Sequence, residues 1–579
     1  MKNRLHTPRA VPGAVEDTKP PGLGIDRGIR GVTPFTRVVS KLRATATRAP
    51  WLAVLITALV IPNVVWITRD HTAWAWDQAW YGEVSVDLWF NLTHSMTDWG
   101  GLILHGLYMK PPGIVWIGQF FVPLGSLFGS IETAILFSII LTQATTLYLI
   151  FKIGRCIAPT SGRVPVLGIC LAASTQSFVG LSHQFLVEPL QALSVAWIIL
   201  IALRGTEWPI PRVLLHLGAA LIVGMLAKAT TPLYCLMPVL YILGVLIHRR
   251  PWQGQGWKNE WRSPSARTLG AFIAFATPIT AAWYAVNLNS VWQHIRDSSS
   301  GEIAVRYGFQ ASIGRKLIVW LRLLDQSFLS PYLGFAVILA AMICFVAYLG
   351  SGGKCSLKRF VIATAILSTL QCGLLLLIFS ASVTVDARYM YAMLPLLLVV
   401  IMCFCAQIKS RVMFVVIFVI CLLQFSTVHS VALGAASTLI QQLDYLAKPY
   451  DDRSRFSDVQ GIVGLTSTVS GRYNIVGVEE PWLNANTVSF FAAKHRLDTG
   501  IRSYFTSLGY AQSNVAGATK RLDDFKVMYY ITLDEKSQTI PPNFLNTVSL
   551  PMLNYVKMDS HFEQVGPPSS NGVLTFRSH

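Results

Sequence analysis

Eleven runs of this 579-residue chain are apolar enough to cross a bilayer, whose ~30 Å hydrocarbon core takes about 20 helical residues. The runs lie near residues 51–68, 132–151, 164–182, 186–203, 212–227, 231–247, 268–288, 330–349, 359–380, 391–407 and 412–433. Hydrophobic residues make up 53% of the chain and charged residues only 13%. This composition indicates an integral membrane protein with room for a soluble domain. We therefore predict a polytopic α-helical membrane protein with about eleven transmembrane helices.

The distribution of positive charge predicts the orientation of these helices. Residues 1–50 contain ten Lys or Arg residues, and the 248–267 loop contains five more. The positive-inside rule assigns both segments to the cytoplasm. The net charge of +18 then reflects topology, and we predict no nucleic-acid partner. We expect a protein of the bacterial inner membrane with a cytoplasmic N-terminus and, after an odd number of spans, an extracytoplasmic C-terminal region.

Composition divides the chain into three parts. Residues 1–50 are rich in Pro, Gly, Thr and Arg without apolar periodicity, and we expect them to be disordered. Residues 51–433 form the transmembrane domain. In residues 434–579, strand-like segments (within 459–478, at 527–532 and at 573–576) alternate with helical ones near 484–495 and 513–525. This pattern predicts a small extracytoplasmic α/β domain, in which the loop 481–486 either contacts a sugar or caps its own domain.

The first exterior loop, residues 69–132, is unusually long. Its segment 111–129 could be mistaken for another span, but that assignment would put the basic 248–267 loop outside. We therefore assign 111–129 to a helix on the membrane surface. A companion surface helix is predicted at 81–98, separated from it by Gly100-Gly101.

Carboxylates near the exterior face are the candidate catalytic groups. Asp77 and Tyr81 lie four residues apart, on one face of a short helix, whereas Glu83, two residues past Tyr81, points elsewhere. The alternative is that Asp77 merely caps this helix. Glu188 begins the 186–203 span, where a charged residue next to hydrocarbon usually marks a function. Its alternative is a helix-start carboxylate satisfied by free backbone N–H groups, and nearby His183 fits an interfacial hydrogen-bonding role better than catalysis.

Cations from distant parts of the chain are predicted to reach the same face. Lys110 precedes a Pro-Pro-Gly turn, Lys228 separates two spans, and Arg388 with Tyr389 begins another. The exterior loop 289–329 adds further cations, namely Arg296, Arg306, Arg315, Lys316 and Arg322. A shared anionic ligand would explain the gathering. The alternatives are side chains that snorkel at helix ends and, for the loop, charges that are simply solvated.

This combination suits sugar transfer from a polyprenyl phosphate. Such a reaction needs one carboxylate to take the proton of the acceptor hydroxyl, cations to stabilise the departing phosphate, and an apolar groove for the lipid. The phosphate leaves without a general acid, so one catalytic carboxylate is enough. We expect no cofactor, because neither the nine cysteines nor the histidines show a metal-binding spacing.

The same motifs resemble the GT-C class of membrane glycosyltransferases, specifically protein O-mannosyltransferases and the aminoarabinose transferase of lipid A. In that family the first exterior loop opens with Asp-Glu followed by Tyr. Here Asp77-Gln78-Ala79-Trp80-Tyr81 matches, with Gln78 in the Glu position. The family's His-Pro-Pro-Leu appears as Lys110-Pro111-Pro112-Gly113. Both departures make the site more cationic.

The resemblance covers roughly residues 51–407. It implies that Asp77 is the catalytic carboxylate, that Glu188 is the second acidic residue, and that Lys228 and Arg388 lie near the lipid phosphate. Glu83, Tyr81, Lys110, His183 and Tyr389 complete the predicted site. The family works on polyprenyl-phosphate sugars without a required metal, so the implied partners are such a donor, membrane lipids and a lipid, glycan or protein acceptor.

Two other functions fit the composition. A transporter or flippase of lipid-linked glycans would also bind an anionic lipid, but carriers often show internal repeats and this chain shows none between its halves. A polymerase or ligase of surface polysaccharide would transfer sugars on another scaffold. The predicted exterior domain is an unusual addition to a carrier, and this favours the transferase.

Overall fold

The computed structural model describes residues 50–249, 262, 264–301, 304–305, 308–350, 357–436, 445–467, 472–509, 512–540 and 545–579. The predicted disordered segment (except Pro50) and most of the basic 248–267 loop lie outside the described residues. Cys355 and Arg306 also lie outside them.

Helices dominate the chain up to residue 432. In chain order they are α1 (Pro50–Arg69), α2 (Trp76–His94), α3 (Met96–His105), α4 (Gly113–Gly118), α5 (Gly125–Phe128), α6 (Ile131–Ile157), α7 (Arg163–Ala173), α8 (Gln176–Ser182), α9 (Glu188–Arg204), α10 (Ile210–Ala227), α11 (Thr231–His248), α12 (Pro264–Ser299), α13 (Ile313–Leu324), α14 (Leu333–Gly350), α15 (Arg359–Ala381), α16 (Leu394–Ala406) and α17 (Arg411–Ala432). Short 3-10 segments at Val122–Leu124 and Ala387–Met393 and a π turn at Asp325–Leu329 connect some of them.

The predicted spans correspond to these helices, and the chain is an integral membrane protein. Within the described residues, eight helical stretches are long and apolar enough to cross a membrane, or up to ten if two bent pairs each count as one span. The bent pairs are α7 with α8, at 61°, and α13 with α14, at 92°. The helix at the remaining predicted run, α9, has 17 residues. The polytopic helical fold is thus confirmed, while the count of eleven stays a prediction.

Helix α9 forms the core of the helical bundle. It is buried along almost its whole length and packs against α6, α10, α11 and the 3-10 segment Ala387–Met393. The hydroxyl of Ser194 donates a hydrogen bond to the carbonyl of Ala220 at 2.7 Å, which satisfies a buried polar group across the α9–α10 contact. A Cβ at Gly224 would lie 2.4 Å from this hydroxyl, so α10 approaches α9 closely only because residue 224 is glycine.

The first long loop differs from the prediction in two details. The break between its first two helices falls at Ser95, whose side chain caps α3, while Gly100 and Gly101 lie inside α3. The predicted break at Gly100-Gly101 was therefore wrong, because the chain becomes extended at Ser95, which ends α2, and the Ser95 side chain then caps the start of α3. The segment 111–129 forms two short helices, α4 and α5, around a 3-10 turn instead of one surface helix.

The C-terminal region is the predicted α/β domain. Its elements are α18 (Arg453–Thr466), β1 (Tyr473–Val476), α19 (Ala485–Thr499), β2 (Tyr504–Ser507), α20 (Val515–Asp524), β3 (Tyr529–Leu533), α21 (Ser549–Met558), β4 (Phe562–Gln564) and β5 (Val573–Ser578). The sheet order is β2-β1-β3-β5-β4, parallel among the first three strands and antiparallel after them. In the predicted 459–478 strand region, Tyr473–Val476 forms β1, whereas the apolar residues before 467 form one side of α18.

Helix α19 packs along α2 and joins the α/β domain to the loop that carries the predicted site. A Cβ at Gly82 would lie 2.9 Å from the ring of Phe490, so the two helices touch at a glycine. The hydroxyl of Thr487 donates a hydrogen bond to the carbonyl of Trp74 at 2.6 Å. Since Trp74 precedes α2 by two residues, the α/β domain helps to fix where α2 begins.

Candidate functional site

A cavity of about 320 Å³ lies where α2, the turn before α4, and helices α9 to α12 and α15 meet. Its charged and titratable lining consists of Asp77, Tyr81, Lys110, Glu188, Lys228, Tyr234, His294, Arg388 and Tyr389. Most of its other walls are apolar, with Pro111, Leu233, Val291, Ile295, Ile378 and Phe379 among them. The cavity therefore combines a concentrated charged cluster with a hydrophobic surround.

Asp77 occupies the first turn of α2 and points towards two cations. Lys110 donates a hydrogen bond to its Oδ1 at 2.6 Å, and Nη1 of Arg388 lies 3.5 Å from its Oδ2. Burial alone would raise the pKa of Asp77, but these two positive charges outweigh it and hold the pKa well below its usual range. The N-cap of α2 is Ala75, so Asp77 is not the capping residue that the alternative interpretation requires.

Glu188 lies on the opposite side of the cluster and is almost completely buried, with 1% of its side chain exposed. Lys228 donates a hydrogen bond to its Oε1 at 2.9 Å, and Nε of Arg388 lies 3.8 Å from the same oxygen. Lys228 is the C-cap of α10 and adopts an extended conformation that breaks the path from α10 to α11. The break explains how one lysine between two apolar helices reaches the charged cluster.

Arg388 connects the two carboxylates. Its guanidinium reaches both Asp77 and Glu188, while Asp386 holds its Nε at 2.7 Å and accepts a hydrogen bond from its backbone N–H at 3.0 Å. This Asp386 side chain caps the 3-10 segment on which Arg388 lies. The local contacts with Asp386 thus hold Arg388 in place, and its contacts with Asp77 and Glu188 orient the guanidinium towards the cavity.

Aromatic residues lie against the cations. The ammonium group of Lys228 lies 4.1 Å from the ring centroid of Tyr389, and that of Lys110 lies 5.7 Å from the ring of Tyr81. Both distances permit cation–π attraction. Burial and the nearby Asp77 and Glu188 carboxylates raise the pKa of the Tyr81 phenol well above its usual value, so this hydroxyl stays protonated and can donate a hydrogen bond.

Two predicted site residues are not among those that line the cavity. Glu83 forms an ion pair with Arg502, which follows α19, and so belongs to the contact between α2 and the α/β domain. Burial raises the pKa of Glu83 to about 7, with Arg502 opposing the shift and the neighbouring Asp87 carboxylate adding to it. His183 stacks on Trp66, with ring centroids 3.9 Å apart.

Four residues in or beside the cavity were not predicted: Tyr234, His294, Asp386 and Tyr445. His294 reaches the cavity because α12 continues eleven residues beyond the predicted span end at 288, as far as Ser299. Asp386 had a local signal, since an acidic residue two positions before an arginine in a turn often caps it. The contact of Tyr445 with Asp386 joins residues 59 apart and has no local signature.

Those cations of the 289–329 loop that the structure describes do not line the cavity. Arg315 and Arg322 are exposed on α13, and Lys316 is buried on another side of the same helix. None of the three lines the cavity. The loop 481–486 favours the capping interpretation, because Asn484 caps α19 and Asn486 donates a hydrogen bond to the carbonyl of Trp76 at 3.2 Å.

The cluster is made of cations paired with carboxylates, not of metal ligands. Within the part of the chain that the structure describes, no three His, Cys, Asp or Glu side chains gather in a way that could hold a metal ion. Chemically, three cationic side chains around two carboxylates can bind a phosphate group and leave one carboxylate free to accept a proton.

Residues 109–284 match the family model of dolichyl-phosphate-mannose-protein mannosyltransferases. A sequence comparison with curated proteins found no match. The matched region begins one residue before Lys110 and includes Glu188 and Lys228. It covers the centre of the helical bundle and less than half of the chain.

Solved structures share the fold over almost the whole chain. ArnT from Cupriavidus metallidurans bound to undecaprenyl phosphate aligns with a TM-score of 0.55 at 13% identity, over 91% of this chain and 98% of that one. The archaeal oligosaccharyltransferase AglB from Archaeoglobus fulgidus, in complex with an inhibitory peptide and a dolichol-phosphate, aligns with a TM-score of 0.52 at 9% identity, over 91% and 74% of the two chains.

The arabinofuranosyltransferase AftD from Mycobacteria aligns with a TM-score of 0.51 at 9% identity, over 92% of this chain and 40% of its own. These three proteins and the family model agree with the resemblance stated from the motifs. The predicted GT-C-like fold, with a helical bundle followed by a smaller C-terminal domain, is confirmed.

Proposed function

We propose that this protein is a glycosyltransferase that moves a sugar from a polyprenyl-phosphate donor to an acceptor hydroxyl at the extracytoplasmic face of the membrane. One observation carries the proposal: Asp77 and Glu188, which are 111 positions apart, meet Lys110, Lys228 and Arg388 around a single cavity with apolar walls. Such a cavity has the three features that the reaction needs, namely a base, cations and a lipid-compatible surface.

Lys228 and Arg388 are the groups that suit the donor phosphate. Both line the cavity, and both are held in place by carboxylates, Glu188 for the lysine and Asp386 for the arginine. In the transition state negative charge builds up on the phosphate oxygen as the bond from the anomeric carbon breaks. Cations that are already oriented stabilise this charge without reorganisation. Glu188 then acts as a positioning residue for Lys228 and Arg388.

Asp77 is the proposed general base. The acceptor oxygen attacks the anomeric carbon, its proton passes to the Asp77 carboxylate, and the electron pair of the breaking C–O bond stays on the lipid phosphate. Asp77 has 30% of its side chain exposed, against 1% for Glu188. It is therefore the carboxylate that an entering hydroxyl can reach.

Donor binding would also activate this base. Without a ligand, Lys110 and Arg388 hold the pKa of Asp77 low, which keeps it ionised but makes it a weak proton acceptor. A bound phosphate attracts the same two cations and draws them away from the carboxylate. The pKa of Asp77 then rises towards its ordinary value, so that the base becomes stronger once the donor is in place.

The apolar walls suit an isoprenoid chain. Leu233 lies on α11, Val291 and Ile295 lie on α12, and Phe379 lies on α15, all lining the same cavity as the cations. Undecaprenyl phosphate is bound in the ArnT structure and a dolichol-phosphate in the AglB structure. These ligands support a polyprenyl phosphate as the donor class. The transferred group is a hexose or a pentose, and the acceptor is a lipid, a glycan or a protein.

Mass spectrometry of cell-envelope glycans and glycolipids tests the proposal. A strain without the protein should lack one sugar modification, which wild-type protein restores and Asp77→Asn does not. The matched control is Asp98→Asn, which neutralises an exposed carboxylate on neighbouring α3 and should restore the sugar fully.

Two results would overturn the proposal. Full activity of Asp77→Asn would remove the base from the mechanism. Accumulation of intact lipid-linked glycan on the cytoplasmic side, with no missing transfer product in membranes supplied with external donor, would favour a carrier of lipid-linked glycans instead.

A further inference from the structure

Helix α13 meets the next span at nearly a right angle. The bend between the stretch that begins at Ile313 and helix α14 is 92°. Only residues 330–332 separate the π turn that continues α13 from α14, so this turn ends within about 14 Å of that span, since an extended chain covers at most ~3.6 Å per residue. Helix α14 has 18 residues and so is about 27 Å long, which is close to the ~30 Å of a hydrocarbon core. Where α14 crosses the bilayer, α13 therefore lies along its surface.

The bend is fixed by contacts with another span. Gln424 of α17 accepts a hydrogen bond from the backbone N–H of Tyr332 at 2.8 Å and donates one to the carbonyl of Ser330. Ser177 of α8 donates a hydrogen bond to the carbonyl of Ser327 at 3.2 Å. Side chains of two other helices thus form hydrogen bonds with the backbone between α13 and α14, so the packing of the bundle fixes the orientation of α13.

The two sides of α13 differ in burial and in charge. Lys316 and Trp320, four residues apart, face the bundle and are buried. The exposed side carries Ile318 and Leu321, with 54% and 48% of each residue exposed. Arg315 and Arg322 lie next to them on the same side and are also exposed. An exposed arc with apolar and basic residues together is the pattern of a helix at a membrane interface.

The two arginines have no acidic partner among the described residues. Neither occurs in an ion pair there, and neither lines the cavity. Two of the positive charges in the 289–329 sequence, those of Arg315 and Arg322, are therefore displayed outward, beside apolar side chains. Guanidinium groups pair with phosphate in a two-pronged geometry, and exposed Ile and Leu at the same level suit acyl chains.

We propose that α13 docks on the anionic phospholipid headgroups of the leaflet next to the cavity. Arg315 and Arg322 bind headgroup phosphates, and Ile318 and Leu321 insert at the boundary with the acyl chains. The inference requires only that the bundle lies in a membrane, and it holds whether or not the protein transfers sugars.

Docking would also support one wall of the cavity. The buried ring of Trp320 lies 4.9 Å from the ring of Phe379, and Phe379 lines the cavity. Helix α13 also packs against the 3-10 segment that carries Arg388. Lipid binding on the outer side of α13 therefore holds in place a helix whose inner side touches the site.

Hydrogen–deuterium exchange of the full-length protein in lipid nanodiscs tests this docking. One set of discs contains phosphatidylcholine alone, and the other contains a mixture with phosphatidylglycerol. Exchange of peptides from residues 313–324 should be about 25-fold slower with the anionic lipid, because each of the two arginines near an anionic surface favours the bound state by about five-fold. Arg315→Gln/Arg322→Gln should abolish the difference, and high salt should reduce it.

The matched control, Lys520→Gln/Lys557→Gln, removes two exposed charges from the α/β domain and should keep the wild-type difference. Ile318→Ser/Leu321→Ser should speed exchange in both kinds of disc, since it removes apolar contact only. Equal exchange of the wild type in the two kinds of disc would overturn the proposal. The same protection by inorganic phosphate in detergent would also overturn it, because an isolated anion site would then explain the arginines.

Discussion

The carboxylate of Asp386 lies 2.7 Å from Nε of Arg388, the residue that spans the two carboxylates of the site. Tyr445 donates a hydrogen bond to the other oxygen of Asp386 at 2.6 Å. A Cβ at Gly180 of α8 would lie 3.0 Å from the backbone of Tyr445, so this segment is also packed tightly against the bundle. A residue beyond the last span therefore helps to orient the arginine proposed to bind the donor phosphate.

Tyr445→Phe should weaken donor binding while leaving the protein folded. The substitution keeps the ring and removes one hydrogen bond to a carboxylate, which corresponds to about 1 kcal/mol, or roughly five-fold. Because Arg388 is proposed to stabilise the phosphate in the transition state as well as to bind it, we expect kcat/KM for the polyprenyl-phosphate donor to fall by about that factor. Steady-state kinetics of the reconstituted enzyme measures it. Tyr450→Phe, at an exposed tyrosine of the same segment, is the control, and an unchanged kcat/KM in Tyr445→Phe would contradict this role.

The sequence alone predicted those site residues that are charged although they lie next to an apolar run. Asp77, Glu188, Lys228 and Arg388 each put a charge next to an apolar run, which is costly without a purpose, and the structure gathers all four around one cavity. Their common location followed from topology, because loops on one side of a membrane share one face. His294 lacked such a signal, since it follows a predicted span end and reaches the cavity only because α12 continues.

Glu83 shows the limit of this reasoning. It has the same neighbours in sequence as Asp77 and Tyr81, yet its partner Arg502 lies 419 positions away in the α/β domain. The helical period does separate Glu83 from Asp77, but the identity of what packs on each side comes from tertiary structure.

Glu188→Gln should reduce stability more than Asp77→Asn does. Glu188 is buried between Lys228 and Arg388, so its neutralisation leaves the partly buried Lys228 without its paired carboxylate, while Arg388 keeps Asp386 and Asp77. Removing one partner of a buried pair typically costs about 3–5 kcal/mol. We expect a clear fall in the apparent unfolding temperature of the detergent-solubilised protein. Glu188→Gln/Lys228→Met should recover part of the loss, and a double variant less stable than Glu188→Gln alone would contradict the pairing.

The contact between α2 and the α/β domain should make stability depend on pH. Burial raises the pKa of Glu83 to about 7, so the folded protein binds this proton between pH 4.5 and 7 while the unfolded chain does not. The free energy of unfolding should then decrease as pH rises through this window, by up to about 1.4 kcal/mol per pH unit for one proton.

Glu83→Gln should remove that part of the dependence. Gln cannot ionise, and Arg502 keeps Asp87 as a partner at 2.9 Å. Unfolding temperatures measured between pH 5 and pH 7.5 should therefore fall less steeply for Glu83→Gln than for the wild type. Asp98→Asn, at an exposed carboxylate, should keep the wild-type slope. Identical slopes for Glu83→Gln and the wild type would show that Glu83 titrates normally.

The Pro-Pro-Gly turn after Lys110 should tolerate no side chain at Gly113. A Cβ there would lie 2.7 Å from the carbonyl oxygen of Leu226 and 2.9 Å from its carbon, both of them backbone atoms that cannot rotate away. Each of these residues is close in sequence to a lysine of the cavity, since Leu226 precedes Lys228 by two residues and Gly113 follows Lys110 by three. Gly113→Ala must therefore separate the two segments that bring these lysines to the cavity, and we expect it to cost about 1–3 kcal/mol of stability and most of the transfer activity.

Gly101→Ala is the matched control for this substitution, because a Cβ at Gly101 meets no atom within 4 Å and the residue lies in exposed helix α3. Alanine there should increase stability by about 0.5–1 kcal/mol through its helix propensity and leave transfer unchanged. Thermal unfolding and transfer assays of the two variants distinguish a close backbone contact from a general effect of replacing glycine. Wild-type activity and stability in Gly113→Ala would mean that α4 can move away from α10 freely. The positions of Lys110 and Lys228 at the cavity would then not depend on this backbone contact.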